Sequence, residues 1–542
     1  MSRYAIGMDF GTLSGRGVLV DTADGRVIAD AQMDYPHGVM DTALPSGKPL
    51  GKDWALQHPQ DYLDVMDAVL PVLTAKVNPA DIAAVSLDVT SATAMPVDAG
   101  FTPLCMTEYW QDDPYAYVMM WKHHATQKQA QKMTDAAVAR GEKWLQYYGG
   151  KINAEWYLPK LLQILEEHPA LYNAMDRYVE MTEWLVWQLS GSYVRSEGCV
   201  GYKALYTGEF PSEEYFAAVN PDFRHVATTK LRGAIGKLGT CAGYVTEAAA
   251  ARWGLAPGTT VAVGNIDAHV CMPAAGITTP GSMLAIVGTS TCTLLVDEEQ
   301  RAVPGISGAV KDGVLPGYAG YEAGQTCVGD SFRWFEKNAV PACITEAAAK
   351  QGISVQAHLT ALADKLRPGE SGLIALDWFN GNRSILADSD LTGLIVGLTL
   401  QTKPEEIYRA LIESTAYGCR VIVDNYRAHG VPVEAFYASG GVSQKNAMAM
   451  QIYADVLNMP VRVVDAAQGP AVGSAILGAV AAGVYPTMEA AIRAMASPVA
   501  KVYEPVEAHV AVYEKLYQEY RILHDSFSGP DGVMKRLKKI RG

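Results

Sequence analysis

A carboxylate, hydroxyls and a guanidinium crowd one corner of residues 5–21, AIGMDFGTLSGRGVLVD, and together they could clamp a phosphate. An apolar run ends in Asp9, turns through Gly11-Thr12 and Ser14-Gly15, and resumes at Val18, the pattern of a hairpin with a polar tip. Glycine lets backbone N–H groups approach a ligand, and Thr12, Ser14 and Arg16 add donors to an oxyanion. Asp9, at the strand end, offers the hard oxygen that a hydrated Mg²⁺ takes. The plainer reading of such a hairpin is a turn.

A shorter copy recurs at residues 284–297, LAIVGTSTCTLLVD, again apolar strand, Gly-Thr turn, apolar strand and aspartate. Such an internal repeat implies two similar domains, each offering a polar hairpin to a shared cleft. Two clamps can hold one polyphosphate from opposite sides. A third glycine corner, Gly440-Gly441, joins strand 436–439 to a helix running to Asn458, and it would let a base or ribose lie against the backbone. Elsewhere, Trp121-Lys122-His123-His124 is either a stacking platform for a sugar with flanking donors or part of a surface helix. Lys203 is either a surface residue or a cation reaching into a cleft, and strand 260–263 ends in Gly264-Asn265-Ile266-Asp267-Ala268-His269.

The elements that must position these groups follow from periodicity. Residues 26–35 read as a third strand, 58–76 as an amphipathic helix with Tyr62, Val65, Met66, Val69, Leu70 and Leu73 on one face, and 82–89 as a buried strand ending in Asp88. That order predicts an antiparallel meander and a parallel strand in one sheet, with Asp9 and Asp88 at the ends of neighbouring strands. Residues 109–178 read as aromatic-rich and helical, and 196–206 as a glycine-punctuated loop. Residues 401–428 are a helix, with Pro404, Glu405 and Glu406 in its first turn. The Gly/Ala run 469–484 is shorter than the ~20 residues of a membrane span, which predicts a close-packed helix behind strand 461–464. The basic residues 534–542 read as a solvated tail.

A chain of 542 residues exceeds what one core normally supports, so two or more domains are expected. Its formal charge of −14 argues against nucleic acid or an anionic membrane as the main partner. Eight scattered cysteines with no Cys-x-x-Cys pair read as reduced, mostly buried thiols, and the expected compartment is the cytoplasm.

Taken together, DFGTLSGR, the Trp-Lys-His-His segment, VGYKALY, GNIDAH, VGTST, YEAGQTCVGDSF (321–332) and ASGGVSQKNAMAMQIYADVLNMPV (438–461) resemble the FGGY carbohydrate kinases. Within that family the chain is most similar to kinases of L-ribulose, since Trp121-Lys122-His123 replaces the Trp-x-Asp of glycerol and xylulose kinases. The resemblance implies an α/β fold of two actin-like (ribonuclease H-like) ATPase domains around a central cleft, divided as 1–256 and 257–542. It implies ATP and Mg²⁺ as cofactors, a ketopentose as substrate, phosphorylation of L-ribulose at C5, and a homodimer. Asp267 is then the general base, and Asp9 handles the metal. Gly11, Thr12, Arg16, Gly288 and Thr289 contact phosphate, and Gly440, Gly441 and Asn446 line the adenosine site. Ala92, Lys203, Asp267, Glu322, Trp121 and Lys122 face the sugar. D-Ribulose, ribitol and D-xylulose are the alternative substrates, and a non-catalytic actin-like sugar sensor is the alternative class.

Overall fold

The computed structural model describes residues 4–465 and 468–541. Its first sheet is built from β1 (Tyr4–Phe10), β2 (Ser14–Asp21), β3 (Val27–Asp34), β4 (Ile82–Val89), β5 (Cys241–Tyr244), β6 (Thr260–Ala262) and β7 (Asn265–Ile266). β1, β2 and β3 form the expected meander, and β4 runs parallel to β1 on its other side. β6 and β7 pair in parallel with β4, and β5 closes that edge antiparallel. Helix α1 (Pro59–Thr74) starts at a proline, where no backbone donor is lost, and the His58 ring accepts the Gln60 N–H. Its apolar face, Tyr62 to Leu73, packs on this sheet.

A separate layer with its own core grows from the loops of this domain. It carries a small antiparallel sheet (Leu56–Gln57, Val118–Met119, Ala94–Val97 and Arg177–Glu180), helix α2 (Tyr157–Glu167) and helix α3 (Glu197–Lys203). Two local expectations are corrected here. Residues 104–119 form short 3-10 turns and a strand, and Trp121 to His124 lie in a turn, not a helix. Residues 197–203 are helix α3 rather than loop. Its glycines are there for close packing: a Cβ on Gly198 would stand 2.4 Å from the Asn265 Oδ1, and one on Gly201 2.5 Å from Val310.

Helix α4 (Asp267–Ala274) leads to the second sheet: β8 (Ser282–Val287), β9 (Thr291–Asp297), β10 (Gly308–Lys311), β11 (Ala319–Gln325), β12 (Ala435–Ser439), β13 (Val461–Val464) and β14 (Val499–Tyr503). The order β11-β9-β8-β12-β13-β14 repeats β3-β2-β1-β4-β6-β5 strand for strand, with the same parallel and antiparallel senses. The echo seen in sequence is therefore one corner of a duplicated domain, the actin-like architecture. The expected division at residue 256 falls inside the first sheet, because β6 and β7 follow it.

The second half also carries helices α5 (Gly329–Asn338), α6 (Pro404–Ala428), α7 (Gly441–Lys445), α8 (Ala447–Leu457) and α9 (Gly469–Ala481). α9 does not lie behind β13. It crosses back to pack on β1, β4 and α4, and its small residues make this possible. A Cβ on Gly7 would stand 1.7 Å from the Ala471 carbonyl oxygen, and one on Gly473 1.8 Å from that of Val270. One apolar cluster, including Ala5, Val18, Val270, Leu284, Val464 and Ala471, thus joins both domains. The basic C-terminal segment is helix α10 (Val533–Arg541), docked through buried Met534 and through Lys535 and Lys538 on Asp388 and Asp390. Among the described residues no helix is long and apolar enough to cross a membrane. All eight cysteines are free, five of them buried.

Candidate active site

Strand register brings three carboxylates to one end of the first sheet. Asp9 on β1 sits between Arg16 on β2 and Asp88 on β4, and Asn265 pairs with Asp88 from the other side, two residues before Asp267. Asp9 is buried, and its Oδ2 lies 3.1 Å from the Arg16 Nε. Asp88 is fully buried; the Ser474 hydroxyl of α9 donates to its Oδ2 (2.6 Å), and its Oδ1 has no protein partner. Asp267 opens α4, and the Ala268 N–H donates to its Oδ1 (2.7 Å).

Burial and mutual repulsion disfavour the charged forms. Burial raises the Asp9 carboxyl, with Arg16 opposing. Burial and then Asp9 hold Asp88 well above the usual range. Burial, then Asp9, push Asp267 up to about 7. An unpartnered, buried carboxylate oxygen beside a second acid is a setting that a hard divalent cation would relieve. Among the described residues the three acids do not converge to within 4.8 Å of one another. That suits Mg²⁺, which is held by one or two carboxylates and completes its shell with water and phosphate.

The residues expected to face the sugar join both halves. Lys203 of α3 donates to both carboxylate oxygens of Glu322 on β11 at 2.9 Å. The His269 Nε2 lies 3.0 Å from Glu322 Oε2, and its Nδ1 3.3 Å from the Gly313 carbonyl. Burial lowers the His269 pKa, with its contacts to Glu322 and Gly313 opposing, and the nitrogen that faces the carboxylate is assigned as a donor. Burial works to raise Glu322, but Lys203 and His269 outweigh it and hold it well below the usual range. Next to this pair, Glu155 takes His124 Nε2 (2.9 Å) and Arg383 from the second half (3.4 Å). Burial opposes ionisation of Glu155, and Arg383 and His124 nevertheless bring it down to about 2.

Ala92 has a left-handed backbone (φ 52°) and is buried. Its carbonyl accepts from the buried Lys160 ammonium (2.7 Å), which also reaches the carbonyls of Met120 (2.8 Å) and Met119 (3.4 Å). The Trp121 indole N–H donates to the Thr12 Oγ1 (3.1 Å), and the exposed Lys122 ammonium lies over the Trp121 ring.

Among the residues expected to contact the nucleotide, the Gly11 N–H closes the first tip on the Ser14 carbonyl, and the Gly288 N–H closes the second on that of Ser290. Thr289 is exposed. Gly440 has φ 93°, and a Cβ there would stand 2.7 Å from the Val287 carbonyl oxygen, so the Gly440-Gly441 corner abuts the second hairpin. Nothing lies within 4 Å of a Cβ on Gly441, which leaves an open surface. The Asn446 Oδ1 accepts the Ala449 N–H and caps α8, breaking the helix expected to run on from Gly441.

The model for the FGGY family of carbohydrate kinases, N-terminal domain, matches residues 4–272, and that for the C-terminal domain matches 283–482. The chain belongs to the FGGY family of carbohydrate kinases. It is 48% identical to a protein named ribulokinase from Bacillus licheniformis over 538 residues, covering 98% of each chain. The ribulokinase of Geobacillus thermodenitrificans is also 48% identical, over 99% of this chain and 97% of its own. Among solved structures, the ligand-bound xylulose kinase of Lactobacillus acidophilus superposes with a TM-score of 0.80 at 18% identity, over 97% of this chain and 99% of its own. The xylulose kinase of Rhodospirillum rubrum gives 0.78 at 23%, with the same coverage. These two likenesses speak to the fold.

In this FGGY kinase the site residues expected from sequence divide into linked groups. Asp9, Arg16 and Asp267 share the acidic corner, Lys203 and Glu322 form an ion pair beside it, and Gly288, Gly440 and Gly441 meet at the second hairpin. Sequence reasoning left Asp88 without a role and missed Glu155, Lys160 and Arg383. The strand order expected from sequence puts Asp88 beside Asp9, where the structure has it. His123 is structural: it is buried with Gln163 and the Ala55 N–H, and burial pushes it down to about 3. Outside the site, His37, His58 and Asp61 cluster, but the two rings stack 17° from parallel at 4.4 Å, so their in-plane lone pairs do not converge on one ion.

Proposed function

We propose that this chain transfers the terminal phosphoryl group of ATP to the C5 hydroxyl of L-ribulose, giving L-ribulose 5-phosphate and ADP, as L-arabinose breakdown requires. Full-length relatives named ribulokinase support the choice of sugar. The observation that carries the chemistry is the setting of Asp267, a carboxylate with a pKa raised to about 7 beside both the first hairpin and the Lys203–Glu322 pair.

A sugar hydroxyl is a poor nucleophile until its proton is accepted. Asp267 takes that proton as the C5 oxygen bonds to the terminal phosphorus and the bond to the bridging oxygen breaks, leaving ADP. A base with a pKa near the working pH is unprotonated often enough to act and still basic enough to accept. Lys203 and Glu322 give the polyol one donor and one acceptor, Trp121 and Lys122 flank it, and Ala92 leaves it room. Thr12, Arg16, Gly11, Gly288 and Thr289 face the phosphates, and Gly440, Gly441 and Asn446 the adenosine. Mg²⁺, held by Asp9 with Asp88 beside it, would neutralise charge on the phosphate oxygens. Closure of the two halves would exclude water. We place the domain division after α4 at residue 274, the compartment in the cytoplasm, and the assembly as a homodimer, which light scattering checks.

Comparing kcat/KM for L-ribulose, D-ribulose, ribitol and D-xylulose in an ADP-release assay tests the reading. L-Ribulose should lead, with a 5-phosphate product by ³¹P NMR. A higher value for another polyol overturns the substrate, and no turnover of any overturns the kinase reading in favour of a sensor.

A further inference from the structure

Thr12, at the tip of the first hairpin, is held by two side chains from outside it. The Gln57 amide donates to the Thr12 carbonyl (2.9 Å), and the Tyr62 hydroxyl donates to the Gln57 Oε1 (2.7 Å); both partners are fully buried. That contact fixes the backbone of the tip. The Thr12 hydroxyl is held separately, by the indole N–H of Trp121 at 3.1 Å.

An indole N–H only donates, so the Thr12 oxygen must be the acceptor, and its single proton is left to point elsewhere. Trp121 in turn belongs to the frame of the sugar side. The carbonyls of Ala92, Met119 and Met120, the last two immediately before Trp121, all converge on the buried Lys160 ammonium. We propose that Trp121 is a positioning residue that couples the two substrates: by occupying the acceptor side of the Thr12 hydroxyl, it directs the hydroxyl proton to the terminal phosphate when sugar holds the indole in place.

This rests on the kinase reading above. A contact that each substrate favours must act reciprocally, so each should raise the affinity of the other by the same factor. The test is calorimetric binding of the non-hydrolysable analogue AMP-PNP with Mg²⁺, with and without saturating L-ribulose, and of L-ribulose with and without AMP-PNP. Wild type should show a coupling factor of about five or more, equal in both directions. Trp121→Phe keeps the ring but loses the donor, and it should bring the factor to about one with an unchanged melting temperature. Thr12→Val should do the same, the double variant should lose nothing further, and Thr12→Ser should keep the wild-type factor. Wild-type coupling in Trp121→Phe, or none in wild type, overturns the proposal. If Trp121→Phe fails to fold, Thr12→Val against Thr12→Ser decides alone. A wild-type chain that phosphorylates no pentulose would instead overturn the kinase reading.

Discussion

The two hairpins occupy the same place in duplicated sheets and share a Gly-Thr tip, yet their chemistry differs at the strand end that leads into it. Aligned on Gly11-Thr12 and Gly288-Thr289, Asp9 corresponds to Ile286. Across the sheet Asp9 faces Arg16 and Asp88, whereas Ile286 faces Cys292 and Ser439. The charged triple of the first domain is a neutral triple in the second. The tips are also held differently. The first is gripped by side chains, Gln57 and Trp121, from the layer that frames the sugar. Among the described residues the second is gripped by backbone, with the Val328 N–H (2.8 Å) and Asp330 N–H (3.2 Å) donating to the Thr289 carbonyl and the Gly329 N–H (3.0 Å) to that of Gly288. Duplication supplied two glycine corners of one shape. Only the first carries buried charge, the charge proposed to handle a cation and a transferring phosphate, while the other, beside Gly440-Gly441, is neutral.

That asymmetry is open to direct attack. Asp9→Asn, which makes the first corner neutral like the second, should lower kcat by about 10³-fold, in the range seen when one group stabilising transition-state charge is removed. Steady-state kinetics at saturating ATP and Mg²⁺ measure it. A smaller effect should appear in the pH profile. Because Asp267 must be ionised to accept the proton and its pKa is raised to about 7, kcat should fall on the acid side of that value and level off above it. An acid limb near 4 would mean that Asp9 and burial leave Asp267 unshifted. The smallest effect should come from Thr289→Ala at the second tip. This exposed side chain offers one neutral hydroxyl, worth about 1 kcal/mol, so KM for ATP should rise by less than about fivefold. A loss equal to that of Asp9→Asn would erase the distinction between the hairpins.

Much of this was legible in the sequence because turns and strand ends are local. Residues 5–21, their echo at 284–297, helix α1, α6 and the Gly440 corner follow from glycines, proline and periodicity. What escaped was set by distant partners. Gly198 and Gly201 read as loop signals, yet they are small because Asn265 and Val310 press on α3. The Gly/Ala residues of α9 predicted close packing but put it behind strand 461–464, whereas it packs on the first sheet and α4. The C-terminal basic segment read as solvated because its acidic partners, Asp388 and Asp390, lie roughly 150 residues earlier. Glu155 and Arg383, 228 residues apart in sequence, carried no local pattern and meet only once both halves are folded.

Asp267→Asn, assayed for L-ribulose turnover and for AMP-PNP affinity in the same preparation, bears most directly on a cleft in which one acid moves the proton while the hairpins hold the phosphates. The expected result is a kcat lower by about 10³-fold with nucleotide affinity within about twofold of wild type. A variant that keeps turnover within about tenfold of wild type would contradict it.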